Sequence, residues 1–228
     1  MLVEVCVSSI SSIKNAALAG ADRVELCAGL GIGGLTPSMG LIQKAIQLNI
    51  LPIHCLIRPR QGHFFYSKDE KLVIENNIKM AREIGCHGIV IGAHTKDFEL
   101  DLPVLSKWKV LAGPMKITFH RAFDVLRNPD ESLKKLIDLG FNSVLSSGQN
   151  EKATEGIENL IRWNTLSGSK ISIMPGSGIN VSNCKLFKNA GFKAIHLTAG
   201  KMKSQLPIPN NVNKNISFLN QPITESDL

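Results

Sequence analysis

Aromatic residues are scarce in this 228-residue chain, which has one Tyr, two Trp and nine Phe. Proteins that hold single-stranded nucleic acid stack its bases on aromatic platforms, and this composition offers none. The formal charge is +7, yet the lysines and arginines are scattered without a basic run. The excess therefore reads as solvated surface or as an attraction for a small anion, not as a nucleic-acid footprint. No apolar stretch reaches the roughly 20 residues needed to cross a bilayer. The opening MLVEVCV alternates like a strand and lacks the basic flank and cleavage site of a secretion signal. A cytoplasmic protein with no membrane or nucleic-acid partner is expected.

The five cysteines, Cys6, Cys27, Cys55, Cys86 and Cys184, are odd in number and contain no CxxC pair. Reduced thiols are expected, not a disulfide framework. Also missing is the GxGxxG turn of a dinucleotide site, since SSISSIKNA follows the first apolar segment. GLGIGGL (29 to 35) lacks the spacing and the lysine of a phosphate-binding Walker loop. It reads as a tight turn, and no nucleotide cofactor is expected.

What is present is a regular alternation of short apolar segments with longer amphipathic ones. The predicted strands are 3 to 7, 23 to 28, 52 to 58, 88 to 93, 116 to 121, 143 to 147, 170 to 175 and 194 to 198. Gly20, Gly85, Gly140 and Gly191 each end a helical pattern, Ser67 to Glu70 has capping-box spacing, and Pro129 suits a first helical position. This order predicts an α/β fold, a (β/α)8 TIM barrel over residues 1–202, with a polar tail over 203–228 and an incomplete last helix.

The interior of such a barrel is normally Val, Ile and Leu. Here the alternation puts Glu4 and Cys6 on one face of the first strand, Glu25 and Cys27 on the same face of the second, and His54 and Arg58 on that of the third. Thr118 and His120 follow on the fifth, and His196 and Thr198 on the eighth. Buried carboxylates need partners, and Arg58, His120 or a bound cation are the candidates. His120, Arg121 and Asp124 fall at the carboxyl end of a strand, where barrel active sites are built. The loops PGSGIN (175 to 180), with Gly176 and Gly178, and HLTAG (196 to 200) can offer backbone N–H groups to a phosphate.

The segments RVELCAGLGIGGLTPS (23 to 38), HCLIRPRQGHFFYS (54 to 67), ITFHRAFD (117 to 124), LSSGQ (145 to 149) and IMPGSGIN (173 to 180) resemble the CutC family, described as copper homeostasis proteins. The resemblance implies a cytoplasmic barrel that forms homodimers or larger homo-oligomers and binds copper. It also implies a barrel-mouth set of Glu4, Glu25, Arg58, Arg60, His120, Arg121, Asp124 and His196. Gly29 and His63 depart from the asparagine and aspartate expected there.

Two functions follow. In one, Cys6 and Cys27 on neighbouring strands, about 4.8 Å apart, supply soft thiolates to Cu(I). Cys55 has the opposite parity and is a weaker third ligand. In the other, the protein is an enzyme acting on a small anionic or phosphorylated metabolite. Arg58, Arg60 and Arg121 would hold the anion with Gly176, Gly178 and His196, while Glu4, Glu25, His120 and Asp124 would do general acid–base work.

Overall fold

The computed structural model describes residues 1–198, 200–203 and 223–226. Strands and helices alternate from the first residues: β1 (Leu2–Val7), α1 (Ile10–Leu18), β2 (Arg23–Leu26), α2 (Met39–Leu48), β3 (Ile53–Leu56), α3 (Lys68–Ile84), β4 (Gly88–Ile91) and α4 (Leu102–Ala112). The second half repeats the unit as β5 (Lys116–Phe119), α5 (Pro129–Asp138), β6 (Ser143–Ser146), α6 (Ile157–Ser167), β7 (Ser172–Pro175), α7 (Cys184–Asn189) and β8 (Ala194–Leu197). These eight strands pair in parallel, in the order β7-β6-β5-β4-β3-β2-β1-β8. β7 and β8 lie side by side and close the ring without a ladder among the described residues. The result is the nearly closed α/β barrel that the sequence predicts.

Local chemistry accounts for where the helices begin and end. Ser67 and Glu70 form the full capping box at the start of α3, and Pro129 is the first residue of α5. α3 stops at Gly85, whose φ of 92° lets the chain turn left-handed without a Cβ clash. Along α3 the buried Ile74, Ile78 and Ala81 recur at helical spacing and face the sheet.

Two layers of apolar packing result. Outward-facing strand residues such as Val5, Val24, Ile89 and Ile117 join Trp108, Trp163 and Phe123 between sheet and helices. Among the described residues the apolar side chains of the lumen form two small clusters, Cys6, Cys27, Leu56 and Val90 in one and Leu145, Met174 and Ala194 in the other. Cys55 belongs to the outer layer, as its parity requires.

The strands are shorter than the apolar runs. β2 ends at Leu26, although the Cys27 N–H still donates to Val7 O at 2.9 Å, because Ala28 turns away to bridge Leu35. β3 ends two residues before Arg58. Among the described residues no helix follows β8; β9 (Gly200–Lys203) pairs antiparallel with β10 (Ile223–Ser226), which lies against α1 and β1. The expected boundary at 202/203 falls inside β9. Of the expected tail, 204–222 and 227–228 lie outside the described residues.

Candidate functional site

Five strands bring ionisable side chains into the lumen, where Glu4, Glu25, His54, His120 and His196 are all buried. Above them, at the carboxyl ends of the strands, is a cavity of about 340 Å³. Cys6, Glu25, Arg58, His120, Arg121 and His196 supply its polar walls, with Leu30, Leu56 and Phe64 among the apolar ones.

Beneath the cavity Glu4 is fully paired. Its Oε2 accepts from Arg23 Nε at 2.5 Å and its Oε1 from His196 Nδ1 at 2.8 Å, while His54 Nδ1 stands 3.9 Å away. Burial alone would raise the Glu4 pKa. The hydrogen bond and charge of His196, then Arg23 and His54, outweigh burial and hold it at about 2. For His196 burial acts downward, but the Glu4 bond and the charges of Glu25 and Glu4 raise it above its usual value. The expected partners of the buried carboxylates, Arg58 and His120, are therefore not those of Glu4.

Glu25 is in a different state. Its Oε1 accepts from the Cys6 thiol at 3.5 Å, and its Oε2 has no hydrogen-bond partner. Burial raises its pKa, and the nearby Glu4 charge adds to the rise. Cys6 Sγ also lies 3.3 Å from Cys27 Sγ. Contact with Cys27, burial and the Glu25 charge push the Cys6 thiol well above its usual range. Cys6, Glu25 and His196 present one sulfur, one oxygen and one nitrogen within 4.8 Å of one another, the mixed donor set of a transition-metal site.

His120 follows β5 directly and starts a short 3₁₀ helix over Arg121–Val125. Its Nδ1 accepts from the Ala122 N–H at 3.1 Å, and its Nε2 has no partner. Burial, then the charge of Arg58, lowers its pKa to about 3. Two glycines of neighbouring β4 and its end make room for lumen histidines. A Cβ at Gly92 would lie 2.5 Å from the His120 ring, and one at Gly88 would lie 2.7 Å from that of His54. Glycine inside a strand commonly marks such a close approach.

Other expected residues are engaged elsewhere. Arg58 lines the cavity, but its NH1 donates to the carbonyls of Ile32, Gly33 and Gly34 and its NH2 to that of Gly62. It ties down the 29–35 turn, and only Nε is left without a partner. Arg60 lies away from the cavity, bound to Glu70 at 2.5 Å and to the carbonyls of Gln61, His63 and Phe65. The two arginines thus do not form the expected paired anion clamp.

Asp124 is saturated by Arg121, Ser146, Ser147 and Gln149 and does not line the cavity. Gly178 does, together with Ser177 and Ile179, whereas Gly176 sits against Leu145 and His196 outside the lining. Helix α7 begins at Cys184, past the 175–180 loop. In the 196–200 loop, Leu197 and Thr198 line the cavity, and Ala199 lies outside the described residues. Sequence reasoning missed Arg23, which follows a turn and whose reach to Glu4 no spacing reveals. It also missed Phe64, whose ring centroid is 4.5 Å from that of His120 and which lies 5.0 Å beneath the Arg58 guanidinium.

Comparison with known proteins converges on one family. The CutC family model matches residues 1–201. A CutC protein of Pasteurella multocida is 42% identical over 213 residues, which span 92% of this chain and 87% of that protein. One from Klebsiella pneumoniae is 41% identical over 199 residues, 87% of this chain and 80% of the other. A crystal structure of CutC from Streptococcus agalactiae, provisionally described as a copper homeostasis protein, superposes with a TM-score of 0.83 at 29% identity, covering 86% of this chain and 98% of that one. An aldolase at 12% identity, with a TM-score of 0.64 over 86% and 89% of the two chains, shares the fold alone. This chain belongs to the CutC family.

Proposed function

We propose that the protein binds copper as Cu(I) at the floor of the cavity and serves copper homeostasis in the cytosol. The observation that carries this reading is the pair of sulfurs, Cys6 Sγ and Cys27 Sγ, 3.3 Å apart beside Glu25 and His196. Thiolates are soft ligands and suit Cu(I) better than hard cations. The Glu4–His196 bond supports the same reading. A carboxylate on Nδ1 is the usual outer partner of a metal-binding histidine, and it leaves Nε2 for an ion. The solved S. agalactiae relative carries the provisional copper homeostasis description.

The raised Cys6 pKa means that its thiol holds its proton until metal displaces it, so affinity should rise with pH. Reduced thiols belong to a reducing compartment, which favours the cytosol, and no described helix is long and apolar enough to cross a membrane. The test is a Cu(I) competition titration against a colorimetric chelator. The wild type should bind stoichiometrically and Cys6→Ser with Cys27→Ser should not. Equal affinity of the two proteins would end the proposal.

A further inference from the structure

Copper binding leaves His120 of the cavity wall unexplained. His120 is 5% exposed, yet its Nε2 has no partner. Its protonation follows from geometry. Nδ1 accepts the Ala122 N–H, so it carries no proton, and a neutral imidazole must then carry its proton on Nε2. Burial and the Arg58 charge keep the ring neutral. Gly92 leaves the slot in which the ring sits, and Phe64 packs on it from the mouth. His120 is thus a fixed, uncharged N–H donor lining the cavity, the kind of group that stabilises negative charge as it develops on an oxygen.

Glu25 lines the same cavity and is 4% exposed, with Oε2 equally unpartnered. A carboxylate on the cavity wall with one oxygen free of partners can accept a proton from a guest and return it. The wall also carries a cation without an acidic partner. Among the described residues Arg58 has no carboxylate partner, its four bonds all going to neutral carbonyls. Arg121 also lines the wall, but Asp124 pairs with it at 2.8 Å, so Arg58 supplies the free charge. A guest with a negative charge is favoured there.

We infer that the cavity binds a small carbonyl compound carrying a carboxylate or phosphate, its carbonyl oxygen accepting from His120 Nε2–H and an adjacent C–H facing Glu25, and that it exchanges that proton. The Glu25 carboxylate takes the proton from carbon. The C–H electron pair becomes the C=C bond, and the C=O π pair moves onto oxygen, where His120 holds the enolate. The protonated Glu25 trades its proton with solvent, and in the reverse step it returns one to carbon and the carbonyl re-forms. Nothing is oxidised or reduced, and no metal takes part, so the inference goes beyond the copper reading.

The test is deuterium exchange followed by ¹H NMR, with the full chain in D₂O, a Cu(I) chelator present, and pyruvate or dihydroxyacetone phosphate as probe. The two arms separate carboxylate from phosphate as the recognised anion. At least one probe should lose its proton signal ~10²-fold faster or more than in buffer. Glu25→Gln should return the rate to that of buffer, and His120→Ala should lower it ~10²-fold. His120→Gln, which keeps an N–H donor, should retain more of the rate than His120→Ala. The inference is overturned if neither probe exchanges faster than in buffer, or if folded Glu25→Gln or His120→Ala exchanges at the wild-type rate. Glu25→Gln is nearly isosteric and decides the matter if His120→Ala does not fold. The exchange is read without copper, and the copper titration without a carbonyl compound, so either reading can fail alone.

Discussion

Replacing Glu4 by Gln tests whether the charge network under the cavity is as tightly matched as its geometry indicates. Glu4 is fully buried and accepts from Arg23 at 2.5 Å and His196 at 2.8 Å. Its pKa falls from 4.5 to about 2, because His196, Arg23 and His54 together outweigh burial. A depression of that size corresponds to ~3 kcal/mol of stability at neutral pH. Removing one partner of a buried ion pair costs ~3–5 kcal/mol in general. One relief acts the other way, since Glu4 helps to raise Glu25, and its removal eases that strain. A net loss of ~2–3 kcal/mol is expected near pH 5.5.

The pH dependence distinguishes this account from a simple packing defect. The Glu4 contribution is present above pH 4.5, its unfolded value, and is lost as pH falls through about 2. His196 has a raised folded pKa, so its contribution is full below pH 6.5 and is lost as pH rises through that folded value. The gap between wild type and Glu4→Gln should therefore be widest between pH 4.5 and 6.5 and narrow on both sides. Urea unfolding reads it, with the buried Trp108 and Trp163 as fluorophores. A loss under ~1 kcal/mol at pH 5.5, or an equal loss from acid to alkaline pH, would refute the reasoning.

Two further substitutions probe the frame around the site. Gly92→Ala puts a Cβ 2.5 Å from the His120 ring and should cost ~1–3 kcal/mol by overpacking. Thermal melting checks this, and an unchanged midpoint would show that the ring has room to move. Ser67→Ala removes the capping box of α3 and should cost ~1 kcal/mol in urea unfolding. A neutral result would mean that the Glu70–Arg60 pair anchors this end of the helix unaided.

The barrel was legible because two periods alternate along the chain, and glycine or proline stands at an end of several helices, as Gly85 does for α3 and Pro129 for α5. The lumen positions of Glu4, Glu25, His120 and His196 followed from strand parity, since successive residues face opposite sides. Parity fails once a strand stops. Arg60 lies beyond β3 in a loop, and Glu70, which the sequence marks only as a capping residue, captures it. Asp124 sits in the 3₁₀ turn after β5, where its carboxylate is absorbed by the ends of β6. Gly88 and Gly92 were within reach of the same counting, because both fall on the inward face of the fourth predicted strand. Arg23 was not, because only the register of β1 against β2 sets it opposite Glu4.

Hydrogen-bond satisfaction sorts the expected site residues by role more sharply than their chemistry does. Glu4, Arg60 and Asp124 are each held by several partners, so a guest would have to compete with bonds already made. Such groups fix positions, and Glu4 also sets the charge states of its neighbours by raising the pKa of both His196 and Glu25. Glu25 and His120 are as deeply buried, but each keeps a polar atom unmatched. An unmatched buried polar group costs ~1–3 kcal/mol, and two lining one cavity would be a standing penalty in a barrel without a guest. The paired groups are thus scaffold, and the unpaired ones are where a ligand's own donors and acceptors would restore the lost hydrogen bonds.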